Sequence, residues 1–347
     1  MSKSLKNYFR RLAEGYERGP LVYLLLPLLV LGENAFRVVT SISRGLYEKK
    51  IAKRTKLPYP VISIGNLTWG GTGKTPLVEY VARKIGARNK TPLILTRGYS
   101  HDEVEQFKHH VPEALIGVGK ERLKVAHEVA KDKKIDVAIL DDGLQHWPIA
   151  RELEIITINA LNPFGNKNLI PRGILREPLS ILSRAEIVVI SHANLVKADE
   201  LSGLREIILK HAPNAQIVET YLEPLFFFRA RKRARVTMDR LMNQRVTTFS
   251  GVGVPKSFQL LLSRSQIRPV RNFEFTDHHK FSEKELNEIK SVSESASVDE
   301  IVTTEKDFYR DPELISKVLN PLVLATKLRV KSGEDALLEK IFRLTRI

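Results

Sequence analysis

The sequence contains no cysteine and only 3 methionines and 2 tryptophans among its 347 residues. Without cysteine there can be no disulfide bond, no cysteine-ligated zinc site and no thiol nucleophile, which suits a reducing compartment. Internal repeats and low-complexity tracts are also missing, and 43% of the residues are hydrophobic, so a fibrous or globally disordered chain is excluded. Catalysis must therefore come from oxygen and nitrogen groups.

Acidic residues are scarce relative to basic ones, with 40 Asp and Glu against 56 Lys and Arg, which gives a net charge of +16. This balance favours a polyanionic partner, such as nucleic acid, an anionic membrane surface or a phosphorylated substrate, without choosing among them. The chain is longer than a usual single domain of about 100–200 residues. We therefore expect two lobes.

A continuous apolar run long enough to span a membrane is missing too. The longest run, residues 21–31, contains Pro27, whereas a spanning helix needs about 20 apolar residues. The sequence after it offers a poor signal-peptide cleavage site. Two interpretations stay open: a buried N-terminal helix, or a helix lying in an anionic membrane surface, which we favour. Basic residues flank the run at Lys3, Lys6, Arg10, Arg11, Arg18, Arg37, Arg44, Lys49 and Lys50.

Short apolar and β-branched runs alternate with helix-like stretches from about residue 51 onward. Their alternation predicts βαβ units, and their nearly continuous apolar character predicts strands covered on both faces by helices. The fold class is therefore α/β, with a doubly wound, mostly parallel sheet. The first runs lie at 61–64, 93–96, 137–140, 155–158 and 187–190.

The same rhythm restarts beyond a basic cluster at 229–235, which indicates a second, smaller α/β lobe. A solvated linker surface or a lip facing anionic lipid is favoured for this cluster over a nucleic-acid site. We accordingly predict no nucleic-acid partner, and no obligate protein partner is evident. The predicted organisation is an N-terminal membrane-associated helical segment at 1–50, a core at 51–222, a linker at 223–235, and a lobe with a C-terminal helix at 236–347.

A glycine-rich turn separates the first predicted strand from a helical pattern, as in a phosphate-binding loop of the P-loop NTPase type. In such a loop backbone amides surround the phosphates, the lysine reaches the β- and γ-phosphates, and the hydroxyl after it ligates Mg²⁺. Thr68 stands where the pattern has its first glycine. The predicted nucleotide-binding residues are Thr68, Gly70, Gly71, Thr72, Gly73, Lys74 and Thr75.

Two carboxylates, Asp141 and Asp142, directly follow the predicted strand at 137–140. Mg²⁺ prefers oxygen ligands and needs only one or two carboxylates besides phosphate oxygens and water. Either aspartate can therefore bind the ion together with Thr75, directly or through water. The alternative is that Asp142-Gly143 only forms a turn.

Six motifs, taken in order, resemble those of the tetraacyldisaccharide 4′-kinases. The threonine at position 68 is also a feature of that family. One departure is that Ser100-His101-Asp102-Glu103 directly follows the Arg-Gly-Tyr segment, where the family has Gly-Asp-Glu further along. The motifs are Gly65–Pro76, Thr96–Tyr99, Asp141–His146, Pro171–Pro178, Asp277–His279 and Thr303–Asp307.

The resemblance implies a phosphoryl transfer from ATP, with Mg²⁺, to an acylated disaccharide 1-phosphate, the lipid A precursor. It implies a peripheral or monotopic enzyme at the cytoplasmic face of the inner membrane. The main alternative is a membrane-associated P-loop ATPase or switch with water as the acceptor.

The resemblance also assigns catalytic roles. Carried over from the family, Asp102 would accept the proton of the attacking hydroxyl, His278 would orient Asp102 from the second lobe as the lobes close, and Lys74 would neutralise charge. A surface acid and a polar loop are the alternatives for Asp102 and His278. Glu177 is expected near the metal, because Pro178 disfavours helix there, although a simple loop is equally open.

Overall fold

The computed structural model describes residues 8, 11–15, 17, 19–98 and 101–345. The basic positions 3, 6, 10 and 18 and the motif residues 99 and 100 lie outside them. The chain forms two compact units. The first comprises Met1–Arg97, Glu113–Thr220 and Val330–Ile347, and the second comprises Gly98–Pro112 and Tyr221–Arg329.

The helices of the described residues are α1 (Pro20–Glu48), α2 (Lys74–Gly86), α3 (His101–His110), α4 (Arg122–Asp132), α5 (Ala198–His211), α6 (Pro255–Arg264), α7 (Glu283–Ser295), α8 (Glu305–Phe308), α9 (Pro312–Val318) and α10 (Glu334–Leu344), with short 3-10 helices at Leu179–Arg184 and Met238–Leu241. The strands are β1 (Val61–Asn66), β2 (Pro92–Thr96), β3 (Leu115–Val118), β4 (Val137–Asp141), β5 (Leu153–Asn159), β6 (Ile187–Ser191), β7 (Gln216–Arg229), β8 (Arg235–Val236), β9 (Val246–Ser250), β10 (Pro269–Glu274), β11 (Glu300–Thr304) and β12 (Leu322–Ser332).

The first unit contains a parallel sheet in the order β6-β5-β1-β4-β2-β3, and the first residues of β7 extend it beside β6. All residues of β1, β4 and β5 are buried. Because their neighbours are parallel, the carboxyl ends of β1 and β4 meet at one edge, where Ile64 aligns with Asp141. The predicted α/β fold with a mostly parallel sheet is confirmed.

Helix α1 is longer than the sequence prediction allowed, because its 29 residues pass through Pro27 without a break. A count of consecutive apolar residues stops at Leu31, but apolar positions recur beyond it at helical spacing on one exposed face. By length and composition, residues 22–48 could cross a membrane. The expectation that this segment is too short to span one is therefore wrong on length, although length alone does not give its orientation.

The two faces of α1 have opposite surroundings. Phe36 and Tyr47 pack against the core of the first unit, and Glu33 is buried. The other face exposes a continuous apolar stripe, which consists of Leu24, Leu28, Leu31, Val38, Val39, Ile42 and Leu46. Leu24 is 77% exposed and Leu28 68% exposed, so the helix is not a buried core helix. An apolar face left open in this way is compatible with membrane association.

The second unit contains parallel strands in the order β10-β9-β11-β12, followed by the second half of β7, with β8 antiparallel to β7. An aromatic-rich core fills it, including Phe228, Phe249, Phe275 and Phe308. Helix α3 belongs to this unit although α2 and α4, before and after it in the chain, belong to the first. The last residues, 330–347, return to the first unit.

The segment 223–235 is not a linker in the structure. Strand β7 continues to Arg229, and a turn leads from it into β8. The basic side chains contact their own unit: Arg229 pairs with Glu300, Arg231 donates hydrogen bonds to the carbonyl oxygens of residues 316 and 317, and Arg233 lies 4.4 Å from the ring centre of Phe308. The cluster therefore supports the turn, which favours neither a flexible linker nor a nucleic-acid site.

Candidate active site

The turn between β1 and α2 has the geometry of a phosphate-binding loop. Gly70 and Gly73 have φ angles of 91° and 78°, in the left-handed region that glycine tolerates best. Helix α2 begins at Lys74, and no side chain of the described residues caps its N-terminus. The start of a helix favours an anion, because the helix dipole places partial positive charge there.

Side chains of strand β5 form hydrogen bonds with this loop. The Thr157 hydroxyl lies 3.0 Å from that of Thr72, and the Asn159 amide donates a 3.2 Å hydrogen bond to the Gly71 carbonyl. Gly73 also approaches β6 so closely that a β-carbon on it would lie 2.9 Å from the Ser191 Cβ atom. Side chains from two strands thus set the path of the loop backbone.

Asp142 lies among several basic side chains of the first unit. Arg176 binds both carboxylate oxygens, at 2.7 and 3.1 Å, and Lys74 Nζ lies 3.6 Å from Oδ1. Arg122 donates a hydrogen bond to the Asp142 backbone carbonyl at 3.2 Å. Burial acts to raise the pKa of Asp142, but Lys74, Arg176 and Arg122 outweigh it and lower that pKa. The carboxylate is therefore ionised at neutral pH.

Asp141 is buried beside Asp142 and accepts a 3.0 Å hydrogen bond from the Thr96 hydroxyl. The two carboxylates and the Thr75 hydroxyl all belong to the same edge of the sheet, where β4 ends and α2 begins. This set of hard oxygen donors fits Mg²⁺ that also binds phosphate oxygens, for which one or two carboxylates suffice. Thr75, Asp141 and Asp142 are compatible with the ion, and their metal role stays a prediction.

Glu177 is buried, and Arg44 of α1 lies 3.5 Å from its carboxylate. Burial raises its pKa, which Arg44, Arg184 and Arg176 partly offset. Within the described ranges, no group of three or more acidic or histidine side chains forms a metal-binding cluster. The structure therefore does not gather Glu177 with both aspartates, and its metal role stays a prediction.

Arg151 supports the turn that follows β4. It donates hydrogen bonds to the carbonyl oxygens of Gly143 and His146, at 2.9 and 2.7 Å, and pairs with the buried Glu154. Burial, together with nearby arginines, lowers the pKa of His146 to about 4, so its ring is neutral at physiological pH. Sequence reasoning missed Arg151, because nothing in its local pattern distinguishes it.

Asp102 and His278 lie together in the second unit, although the sequence analysis placed Asp102 in the core at 51–222 and expected His278 to reach it as the lobes close. Asp102 is buried in the first turn of α3, and His278 Nδ1 lies 3.6 Å from its Oδ2 atom. His278 has a φ of 57°, an uncommon left-handed conformation that clusters at functional sites. Both side chains therefore belong to one polar cluster.

Arg310 and Lys306 complete that cluster, and sequence reasoning missed both roles. Arg310 Nε donates a 2.9 Å hydrogen bond to Asp102, and its Nη1 binds Asp307 at 2.7 Å. Lys306 Nζ lies 3.4 Å from His278 Nε2. Burial acts to raise the pKa of Asp102, but His278, Lys306 and Arg310 together lower it to about 2. Asp307 and Arg310 are three residues apart, a spacing that brings side chains together on a helical turn, and this spacing could have suggested the Asp307–Arg310 pair.

Comparison with known proteins agrees with this geometry. The sequence profile of the family described as tetraacyldisaccharide-1-P 4′-kinase matches residues 22–107 and 100–345. The probable mitochondrial tetraacyldisaccharide 4′-kinase of Arabidopsis thaliana is 35% identical over 346 residues, which cover 88% of this chain and 87% of that protein. The tetraacyldisaccharide 4′-kinase of Halothermothrix orenii is 31% identical, over 96% of this chain and 97% of its own.

A solved structure is similar over nearly the whole length. It is that of LpxK from Aquifex aeolicus in complex with ATP, which has a TM-score of 0.68, is 25% identical, and covers 94% of this chain and 99% of its own. The residues matched by the sequence profile include the phosphate loop and the Asp102 cluster. The chain therefore belongs to the tetraacyldisaccharide-1-P 4′-kinase family, as its motifs predicted, and it is an ATP-dependent kinase of the P-loop class.

Proposed function

We propose that the chain transfers the γ-phosphoryl group of ATP to the 4′-hydroxyl of tetraacyldisaccharide 1-phosphate, a step of lipid A biosynthesis. One observation carries this proposal: the start of α2, behind a glycine turn, places Lys74 beside the carboxylate of Asp142, in a chain that its family profile covers from residue 22 to 345. The alternative, a switch or ATPase with water as the acceptor, is not favoured by the family membership.

The first unit binds the nucleotide in this proposal. The amides at 70–75 and the Lys74 ammonium group hold the phosphates and neutralise the charge that spreads over the transferred group. Thr75, Asp141 and Asp142 would hold Mg²⁺. That ion supplies charge neutralisation at the phosphate oxygens when it is bound. Arg176, which already binds Asp142, keeps its carboxylate oriented.

Asp102 is the proposed proton acceptor. As the oxygen–phosphorus bond to the acceptor forms and the bond to ADP breaks, the hydroxyl proton passes to Asp102. A pKa of about 2 makes Asp102 a weak base. Phosphoryl transfer passes through a loose transition state in which the hydroxyl needs orientation more than early deprotonation, so a weak base is sufficient. His278 orients the carboxylate.

The proposed location is the cytoplasmic face of the inner membrane. The apolar stripe of α1 would enter the acyl region, while exposed Arg37, Lys49 and Lys50 meet anionic headgroups. The acyl chains of the proposed substrate would lie in the same acyl region of the membrane. Replacement of Leu24, Leu28 and Leu31 by Glu should release the protein from anionic vesicles in flotation, and unchanged flotation would contradict this placement.

One assay tests the reaction. Purified protein is incubated with γ-labelled ATP, Mg²⁺ and the acylated disaccharide 1-phosphate, and the lipid is separated by chromatography. Transfer of label to the lipid, in stoichiometric amount with ADP, is the expected result. Labelled phosphate in water with no labelled lipid would instead support the ATPase.

A further inference from the structure

Glu33 is a buried carboxylate on a helix whose opposite face is apolar and exposed. It is 3% exposed and lies on the side of α1 that faces the first unit. One of its oxygens lies 3.2 Å from Arg172 Nη1, and the other accepts a 3.3 Å hydrogen bond from the Leu169 amide. Arg37, one turn further along α1, donates a 2.7 Å hydrogen bond to Glu33. A buried charge with three donors is a specific attachment point.

A second attachment holds the other end of the same stretch of chain. Arg44 of α1 lies 3.5 Å from Glu177. Beside the first attachment, Gly32 packs so closely on Pro171 that a β-carbon at 32 would lie 2.9 Å from the Pro171 Cγ atom. Helix α1 therefore binds residues 169–177, called here the strap, near its beginning and at its end.

The strap also contacts the phosphate loop. The Trp69 amide donates a 2.9 Å hydrogen bond to the Ile174 carbonyl, and the Arg176 amide donates one of 2.6 Å to the Leu67 carbonyl. Arg176 also donates from its side chain to Asn66 at 3.1 Å and to Asp142 at 2.7 Å. The strap thus lies between α1 and the nucleotide-binding residues, with hydrogen bonds to both.

We infer that Glu33 is a positioning residue for the nucleotide site. It fixes the strap, and the strap fixes Arg176 and the backbone at 66–69. Loss of the Glu33 charge frees the start of the strap, so Arg176 no longer holds Asp142 in one orientation and the loop backbone loses its neighbour. The inference rests on the phosphate-binding role proposed above for residues 70–75.

The test uses the full chain in detergent micelles and compares Glu33→Gln with Glu206→Gln, an equal change at an exposed position on α5 of the same unit. The dissociation constant for Mg-ADP is measured by calorimetry. Hydrogen exchange is followed for peptides covering 66–76 and 168–178, and for α7 in the second unit. We expect Glu33→Gln to weaken nucleotide binding about tenfold, the order expected when a buried charged hydrogen bond is lost.

Exchange should rise in the peptides at 66–76 and 168–178 and stay unchanged in α7, and Glu206→Gln should match the wild type throughout. Arg172→Gln removes the cationic partner of Glu33 on the strap. Because Arg172 is more exposed than Glu33, this variant should fold normally, and it should show the same weaker nucleotide binding and faster exchange at 66–76 and 168–178. Unchanged nucleotide affinity in both Glu33→Gln and Arg172→Gln would overturn the inference, as would faster exchange spread equally over all peptides. A Lys74→Ala protein that retains full transfer would instead refute the proposed function itself, so the two failures are distinguishable.

Discussion

The phosphate loop and the Asp102 cluster both hold an acidic group in place beside cationic side chains. The group is the nucleotide phosphate in the first site and the Asp102 carboxylate in the second, and the two sites are built differently. The first site comes mostly from one contiguous stretch of backbone at 68–75. The second comes from side chains of three distant segments, around residues 102, 278 and 306–310. Asp142, which pairs with Lys74 of the loop, and His278 of the cluster both lie in the left-handed region, at φ 53° and φ 57°. A backbone site should tolerate replacement of its supporting side chains, whereas a side-chain site should not.

The largest effect is expected at Lys74. Lys74→Ala removes the ammonium group that meets the phosphates, and transfer should fall by about 10²–10³-fold or more, the loss typical for one preorganised charge-stabilising group. The measurement is the initial rate of lipid labelling at saturating substrate. Lys84→Ala, ten residues along α2, is the control and should keep nearly full activity. Comparable rates for the two variants would contradict the loop assignment.

Asp102→Asn tests the side-chain site next. It keeps the size of the group but removes the proton acceptor, so turnover should drop about 10²-fold, the lower end of the usual contribution of a general base, because Asp102 is a weak base. Affinity for Mg-ADP should stay within about twofold of the wild type on the same reasoning. Glu105→Gln, on the same helix, provides the control. Wild-type turnover in Asp102→Asn would remove the base assignment.

Arg310 should show how strongly the cluster depends on one side chain. Arg310→Met removes a cation that helps hold the Asp102 pKa at about 2, so that pKa should rise. Because a raised pKa means that protonation begins at higher pH, the acid limb of the pH–rate profile should move upward. Arg310→Lys should restore part of the shift. An unchanged acid limb in Arg310→Met would argue against Asp102 as the group that titrates.

The same replacement should also lower stability. Asp102 and Asp307 would be left buried without their main partner, at a cost of about 3–5 kcal/mol. A group with a lowered pKa stabilises the fold above its unfolded pKa and loses that contribution as pH falls. The wild type should therefore lose stability on acidification through the Asp102 titration, and Arg310→Met should lose less over the same interval. Urea unfolding at several pH values measures the difference.

The smallest effect is expected at Thr157, which supports the phosphate loop only through its hydroxyl. Thr157→Val removes the contacts with Thr72 and with the Gly65 carbonyl. The cost should be about 0.5–1.5 kcal/mol, the net worth of one hydrogen bond. Nucleotide affinity, followed by calorimetry, should fall only a few fold. A loss as large as that of Lys74→Ala would show that the loop depends on side chains as much as the Asp102 cluster does.

This contrast also explains what the sequence could predict. The phosphate loop, the strands β1, β2, β4, β5 and β6, and the carboxylates after β4 follow from contiguous patterns, because neighbouring residues determine them. The family motifs added Asp102 and His278, which no local pattern connects. The partners Arg310 and Lys306, and the pairing of Arg176 with Asp142, come from long-range contacts that a single sequence does not display.

Other differences have the same physical origin. Strand β3 has only four residues, and Gly117 interrupts its apolar run, whereas the apolar runs that predicted the other strands are nearly continuous. Helix α3 joins the second unit although its chain neighbours belong to the first, and the single glycine and proline at the boundaries, Gly98 and Pro112, do not distinguish a change of unit from an ordinary turn. The length of α1 was underestimated because its apolar residues lie on one face and are not consecutive.

In the membrane placement proposed above, the two opposite faces of α1 limit the orientation of the protein on a bilayer. A helix crossing the bilayer would carry Glu33 and the attached backbone at 169–172 into hydrocarbon, where each unsatisfied polar group costs several kcal/mol. With the helix axis parallel to the lipid surface, only the stripe is immersed, over about 33 Å from Leu24 to Leu46 at 1.5 Å per residue. The first unit would then stay in water with a fixed side toward the lipid, and its rotation about the membrane normal would remain free.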